Sequence, residues 1–196
     1  MNTFLLSRFA PPLVVPYLEA GPVVLRPFSS GDLSLIEAAG SDPYIPSMTS
    51  VPRHFSESEG RAYLARQSHQ AEDGHGFPFV IAPANEPERG IGGLGLWLRE
   101  IDSGRASIGY WLVPSARGMG MAAAALGGVV QFAFGSLAIP RLHLFIEPWN
   151  VASQRTAEAA GFANEGLLRA WERIDGRQCD ALAFVRLHQE WSDAQR

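Results

Sequence analysis

The sequence predicts an α/β fold, in the α+β sense of one mixed sheet of about seven strands with helices on both faces, carried by a single domain over residues 1–196. Three observations predict it. Strand-like and helix-like stretches follow one another in the order strand, helices, three strands, helix, strand, helix, two strands. No internal repeat, low-complexity tract or composition shift marks a linker. The charge-free stretch from Gly118 to Pro140 is interrupted by Gln131 and Ser136 and flanked by strands, so it reads as a helix packed in a core rather than as a membrane span.

The elements follow from local chemistry. Residues 1–22 read as an N-terminal arm. Val23-Val24-Leu25-Arg26-Pro27-Phe28 is a short strand stopped near Pro27, and Asp32 is placed to cap a helix over Leu33 to Ala39. Pro43, Pro46 and Pro52 make Gly40 to Phe55 a loop with short helical turns at most. Ser56 and Glu59 have capping-box spacing ahead of a helix to about Ala71. Phe77 to Ala82, Gly90 to Glu100 and Arg105 to Val113 are expected as neighbouring antiparallel strands, joined by polar turns. Pro114 ends the third, and a helix runs from Gly118 to Leu137. Arg141 to Trp149 is a strand, Ala152 to Ala160 a helix, and Gly166 to His188 a pair of strands turning at Asp175-Gly176.

Composition narrows the function. Twenty acidic and 16 basic residues give a net charge of -4, without the Lys/Arg run that a nucleic-acid backbone requires. A local pocket for a phosphorylated cofactor stays open. The single cysteine, Cys179, excludes an intrachain disulfide and a cysteine zinc cluster and fits a reducing cytoplasm. Met1 to Pro16 is apolar but lacks the charge pattern and cleavage site of a secretory leader. His54, His69, His75 and His188 have no metal-ligand spacing, so no metal is expected.

The segment Arg117-Gly118-Met119-Gly120-Met121-Ala122 stands between a strand and a helix. Backbone N–H groups there have no intrahelical acceptor, and the helix end carries about half a positive charge, so the turn suits phosphate. Gly118 and Gly120 remove the Cβ atoms that would hold a pyrophosphate away. The segment is too short for a Rossmann fingerprint and lacks the Lys-Ser/Thr ending of a P-loop.

With these residues in view, the sequence resembles the GNAT superfamily of acyl-CoA-dependent N-acyltransferases. Ser107-Ile108-Gly109-Tyr110-Trp111-Leu112-Val113-Pro114 with Arg117 to Ala122 resembles the family's fourth strand, cofactor loop and central helix. Ile146-Glu147-Pro148-Trp149-Asn150-Val151-Ala152-Ser153, running on through Arg155 to Gly161-Phe162, resembles its fifth strand and following helix. Asp180 and Glu190-Trp191 resemble the tail of the branch that acetylates ribosomal-protein N-termini, and Leu25-Arg26-Pro27 extends the likeness to the start of the fold. The resemblance implies a GNAT-like acyl-CoA N-acyltransferase fold with acetyl-CoA in the cleft where the fourth and fifth strands splay, and CoA as product. It places the pyrophosphate on the N–H groups of Gly118, Met119, Gly120, Met121 and Ala122 beside Arg117, a carbonyl-polarising N–H at Leu112 or Val113, and the pantetheine arm or sulfur near Asn150 and Ser153.

Direct transfer needs a proton acceptor for the amine and a donor for the departing thiolate. Where relatives carry a base, this chain has Ser107, and where several carry a tyrosine acid it has Ala157. His143 and Glu147 are the candidate bases, each with a plain alternative: a hydrogen-bonded strand histidine and an edge ion pair. Ser153 is the candidate donor to sulfur, and equally an ordinary first-turn serine. Tyr110, Trp111 and Trp149 either line an acceptor groove or pack in the core.

The expected reaction is acetyl transfer to a primary amine, with a protein or peptide N-terminus preferred. At neutral pH roughly a tenth of an α-amine of pKa near 8 is unprotonated, against under about 0.1% of lysine. A small-molecule amine acceptor, a succinyl-CoA donor and a non-catalytic CoA-binding sensor or scaffold are the alternatives. No nucleic acid or membrane partner is expected, and the apolar arm and last strands are the surfaces available to a homodimer.

Overall fold

Two short strands, β1 (Leu18–Ala20) and β2 (Val23–Arg26), open the computed structural model, which describes residues 9–194. Helices α1 (Leu33–Gly40), α2 (Ile45–Met48) and α3 (Glu57–Glu72) come next, followed by the antiparallel meander β3 (Gly76–Pro83), β4 (Gly92–Trp97) and β5 (Arg105–Leu112). Helix α4 (Met121–Gln131), continued by a π turn over Phe132–Ser136, leads to β6 (Arg141–Ile146) and α5 (Val151–Ala159). The hairpin β7 (Ala163–Ile174) and β8 (Arg177–Leu187), then α6 (His188–Ala194), close the chain. All eight strands form one mixed sheet in the order β1-β2-β3-β4-β5-β6-β8-β7, flanked by helices.

The eighth strand is β1, inside the segment expected as an arm. It is three residues long, too short to show a period, and it turns at Gly21 (φ 61°) to cover the outer edge of β2. Ahead of it Phe9 and Leu13 are buried, and the Leu13 N–H bonds the Ala71 carbonyl at the end of α3 (2.9 Å). Residues 1–8 of the expected arm, with most of the apolar leader-like stretch, lie outside the described residues.

Asp32 does not cap α1 with its side chain. Its carboxylate takes two bonds from the buried Arg26 guanidinium (2.7 and 2.9 Å) and one from the Ser29 N–H, so the ion pair locks β2 to the start of α1. Ser56 does cap α3, accepting from the Glu59 N–H at 3.2 Å. The Asp175-Gly176 turn has φ of 46° and 79°, the pair of positive values that a two-residue hairpin favours.

The core lies between sheet and helices, with Phe79, Ile81, Leu96, Leu126, Phe134 and Leu142 almost wholly buried. The π turn brings Phe134 to Trp191 of α6 (ring centroids 5.7 Å), seating the last helix. Among the described residues no helix is long and apolar enough to cross a membrane.

Candidate active site

Strands β5 and β6 run parallel but pair only from Arg105–Arg141 to Ser107–His143. Past Ser107 they part while β6 stays paired with β8, and a cavity of about 760 Å³ occupies the opening. It is lined by both strands beyond their last pair, with Ile108 to Trp111 on one side and Leu144 to Glu147 on the other. Tyr110 and Trp111 are consecutive on β5 and so belong to opposite sheet faces, which means the cavity runs through the sheet.

Two contacts hold the proline-rich loop over this opening. The Tyr44 hydroxyl donates to Glu147 Oε2 at 2.7 Å, and Arg53 donates to both carboxylate oxygens of Asp175 at the β7–β8 turn (2.8 and 3.0 Å). A third anchor is Asp42, 5% exposed, which accepts from the N–H groups of Tyr44 and Ile45 and from Arg117 Nη2 at 2.7 Å. Burial raises the Asp42 pKa, but these three donors outweigh it and hold the group below the usual carboxylate range.

A residue the sequence reading missed enters from β7. The β7–β8 register slips between Leu168 and Glu172 around Ala170 (φ 49°), whose N–H bonds Asp180 Oδ1 (2.7 Å) and whose carbonyl accepts from Gln178 (2.8 Å). Such a bulge bends its strand and re-aims the residues after it. Here Glu172, Arg173 and Ile174 line the cavity. Burial, then the charge of Glu147, raise the Glu172 pKa above the ordinary carboxylate value. Nothing local marks Glu172 in the sequence, because its direction depends on a bulge whose support lies ten residues away at Asp180.

The glycine turn is open. Gly118 and Gly120 have φ of 77° and 74°, and a Cβ on either would meet nothing within 4 Å, so space is left for a group from outside the chain. Gly120 is the N-cap of α4 and offers no side-chain cap. The first bond closing the helix is Ala124 N–H to the Gly120 carbonyl (3.1 Å), leaving the N–H groups of Gly118 to Ala123 without a protein acceptor among the described residues. This donor set fits a pyrophosphate. The Arg117 side chain is engaged elsewhere, donating to the Leu112 carbonyl (3.0 Å) and to Asp42.

Of the two N–H groups expected to polarise a carbonyl, the geometry separates Leu112 from Val113. Val113 donates to Ile91 on the β4 side (3.0 Å). Alternation along the strand therefore turns the Leu112 N–H, like its carbonyl, to the edge that β6 has left.

Five of the candidate residues meet in the cavity lining: Tyr110, Trp111, Glu147, Asn150 and Ser153. Asn150 caps α5 through Oδ1 to the Ser153 N–H (3.1 Å), and its amide NH₂ is a donor that faces the Tyr44 hydroxyl. The Tyr110 hydroxyl is fully buried and has no hydrogen-bond partner among the described residues. Burial raises its pKa, and the Ser153 and Thr156 hydroxyls nearby on α5 oppose this without reaching bonding geometry. Trp149 is 59% exposed and stacks edge-on against Tyr44 (5.0 Å) rather than packing in the core.

His143 does not join them. It is 5% exposed, stacks on Phe145 (4.9 Å), points Nε2 at Glu100 (3.5 Å) and is absent from the cavity lining. Burial lowers its pKa, and Glu100 only partly offsets this. Among the described residues no cluster of His, Cys, Asp or Glu could hold a metal.

Residues 23–163 match the family described as the acetyltransferase (GNAT) domain. The chain belongs to the GNAT acetyltransferases. A Bacillus licheniformis relative named uncharacterized N-acetyltransferase p20 is 28% identical over 170 residues, which are 87% of this chain and 95% of that protein. Mycobacterium smegmatis RimJ, solved in complex with CoA-disulfide, superposes with a TM-score of 0.77 at 25% identity, covering 91% of this chain and 89% of that one. The ribosomal-protein-S5-alanine acetyltransferase of Vibrio fischeri superposes at 0.70 with 19% identity, over 90% and 98% of the two chains. This GNAT protein is an N-acetyltransferase, and acetyl-CoA is its cosubstrate.

Proposed function

We propose that this single-domain GNAT enzyme acetylates the α-amine of a peptide or protein N-terminus by direct transfer, with Glu172 collecting the amine proton. The observation that carries the reading is the pair of carboxylates, Glu147 and Glu172, in the cavity where β5 and β6 part. Acetyl-CoA supplies an acetyl group activated as a thioester. The free N–H groups from Gly118 to Ala122 hold its pyrophosphate, and the Leu112 N–H faces the carbonyl oxygen that gains charge. The Ser153 and Tyr110 hydroxyls and the Asn150 amide, all from residues of the cavity lining, are the donors this reading assigns to the departing sulfur. A carboxylate of raised pKa is a better proton acceptor than an ordinary one, and an α-amine near pKa 8 yields its proton more readily than a lysine. Glu172 takes the part first assigned to His143, whose imidazole faces Glu100 instead. Glu147, bonded to Tyr44, acts by its charge.

A small-molecule amine is the second reading, favoured by the cavity volume of about 760 Å³, which lies in the range of small-ligand sites. The test is thiol release from acetyl-CoA with N-terminally free peptides, the same peptides blocked at the α-amine but carrying lysine, and free amines. The reading requires the first set to turn over at least about tenfold faster than the second. Faster acetylation of the blocked lysine peptides would overturn it.

A further inference from the structure

Two indole rings pack directly against a stripe of glycines in the cavity. A Cβ built on Gly95 would sit 2.2 to 2.7 Å from Cζ2, Cε2 and Nε1 of Trp97, and one on Gly93 would sit 2.8 to 2.9 Å from Nε1, Cε2 and Cζ2 of Trp111. Both glycines have ordinary negative φ, so backbone conformation does not call for glycine here. Their use is to let each indole approach the sheet backbone more closely than a Cβ would allow. Gly95 pairs across the sheet with Gly109, whose own Cβ would be 3.8 Å from the Trp97 Nε1, so the stripe continues onto β5. Trp97 and Trp111 are only half-buried, and both line the cavity, so part of each indole is presented to whatever occupies it.

The rest of the lining limits the occupant. Glu147 and Glu172 supply negative charge for one ammonium group. Arg66, Arg99 and Arg173 are exposed residues of the same lining, so a second cationic centre, as in a polyamine, meets like charge.

Resting on the N-acetyltransferase reading above, we infer that the acceptor carries its primary amine next to a planar apolar group, which lies on the Trp97–Trp111 floor while the amine turns to the carboxylates. Flat offset stacking on indole favours such a group over a small or branched one. The shared chemistry is an aromatic ring two or three bonds from a single amine, whether as the first residue of a peptide or as a free aromatic amine.

The experiment compares glycinamide, alaninamide, phenylalaninamide and tryptophanamide as acceptors, then Phe- and Gly-initiated tripeptides, then phenethylamine. Acceptor binding to the CoA-loaded protein is read in parallel from indole fluorescence, which gives the preference whether or not an acceptor turns over. The expected result is a kcat/KM or affinity at least about tenfold higher for the aromatic amides than for glycinamide, with the ratio falling toward one in Trp111→Leu and in Trp97→Leu. The tripeptide and phenethylamine arms separate the two sources of the ring. Equal or inverted preference in the wild-type protein overturns the inference, as does a preference that both folded variants retain. Acetyl-CoA affinity by calorimetry is measured separately, and its absence would instead strike the acetyltransferase reading.

Discussion

The Tyr44 hydroxyl lies 2.7 Å from Glu147 Oε2 and ties the proline-rich loop to the end of β6. Burial, with the Glu147 carboxylate as acceptor, pushes the Tyr44 pKa well above the ordinary phenol value, so this proton stays on the tyrosine. The charge of the same Glu147 is one of the two causes, after burial, that raise the Glu172 pKa.

The pH profile follows from that charge. With Glu172 as the proposed base, which acts only when ionised, kcat/KM should fall as pH drops through its raised pKa. Glu172→Gln should lower kcat/KM by about a hundredfold at pH 7 and erase that limb. Glu147→Gln removes the neighbouring anion and should move the limb to lower pH. Stability has its own sign. A carboxyl whose folded pKa is raised contributes stability below its unfolded pKa that is lost as pH rises through the folded pKa. Glu172→Gln should therefore melt at or above wild type at pH 7, with the difference vanishing toward pH 4. Parallel pH–rate and pH–melting series check both, and an unshifted limb in Glu147→Gln would remove the coupling.

The meander, the glycine turn and the β7–β8 hairpin were legible because their signals are local: alternation, a proline stop, and Asp175-Gly176 at a two-residue turn. Asn150 and Ser153 were drawn from the family resemblance, and in the structure Asn150 caps the turn that presents Ser153. What escaped the reading depends on distant partners. Asp32 looks like a helix cap until Arg26 takes its carboxylate. Arg117, set beside the pyrophosphate by the resemblance, is bonded by Asp42, 75 residues away, a partner no local signal announces. His143 and Glu147 share one alternation along β6, yet only Glu147 lines the cavity, because His143 lies where β5 is still paired and Glu147 lies past the point of parting.

The phosphate turn is tested by charge. Gly120→Glu places a carboxylate at an open position where acyl-CoA phosphates are expected, and should weaken CoA binding by more than a hundredfold. Its φ of 74° adds about 1–2 kcal/mol of strain for a side chain, so folding must be verified by circular dichroism. The matched control is Gly127→Glu on the same helix, where a Cβ also meets nothing within 4 Å and replacing a mid-helix glycine gains up to about 1 kcal/mol. Calorimetry should find near wild-type CoA affinity in the control. Wild-type affinity in folded Gly120→Glu would sink the phosphate site.

Tyr110 separates a structural hydroxyl from a working one. A buried hydroxyl with a protein partner contributes about 1 kcal/mol, and its removal lowers the melting temperature. The Tyr110 hydroxyl has no such partner among the described residues, so Tyr110→Phe relieves an unsatisfied group and should leave the free protein unchanged or raise its melting temperature by a few degrees. The same change should reduce kcat about tenfold if the hydroxyl donates to the departing sulfur beside Ser153, with little effect on acceptor KM. Its raised pKa keeps the proton on oxygen, so the loss should be of hydrogen bonding to the thiolate and should stay constant from pH 6 to 9. If Ser153 and Tyr110 donate to the same sulfur, Ser153→Ala and the double variant should show non-additive losses. A destabilised Tyr110→Phe with unchanged kcat would assign the hydroxyl to the fold and leave Ser153 and Asn150 as the donors to sulfur.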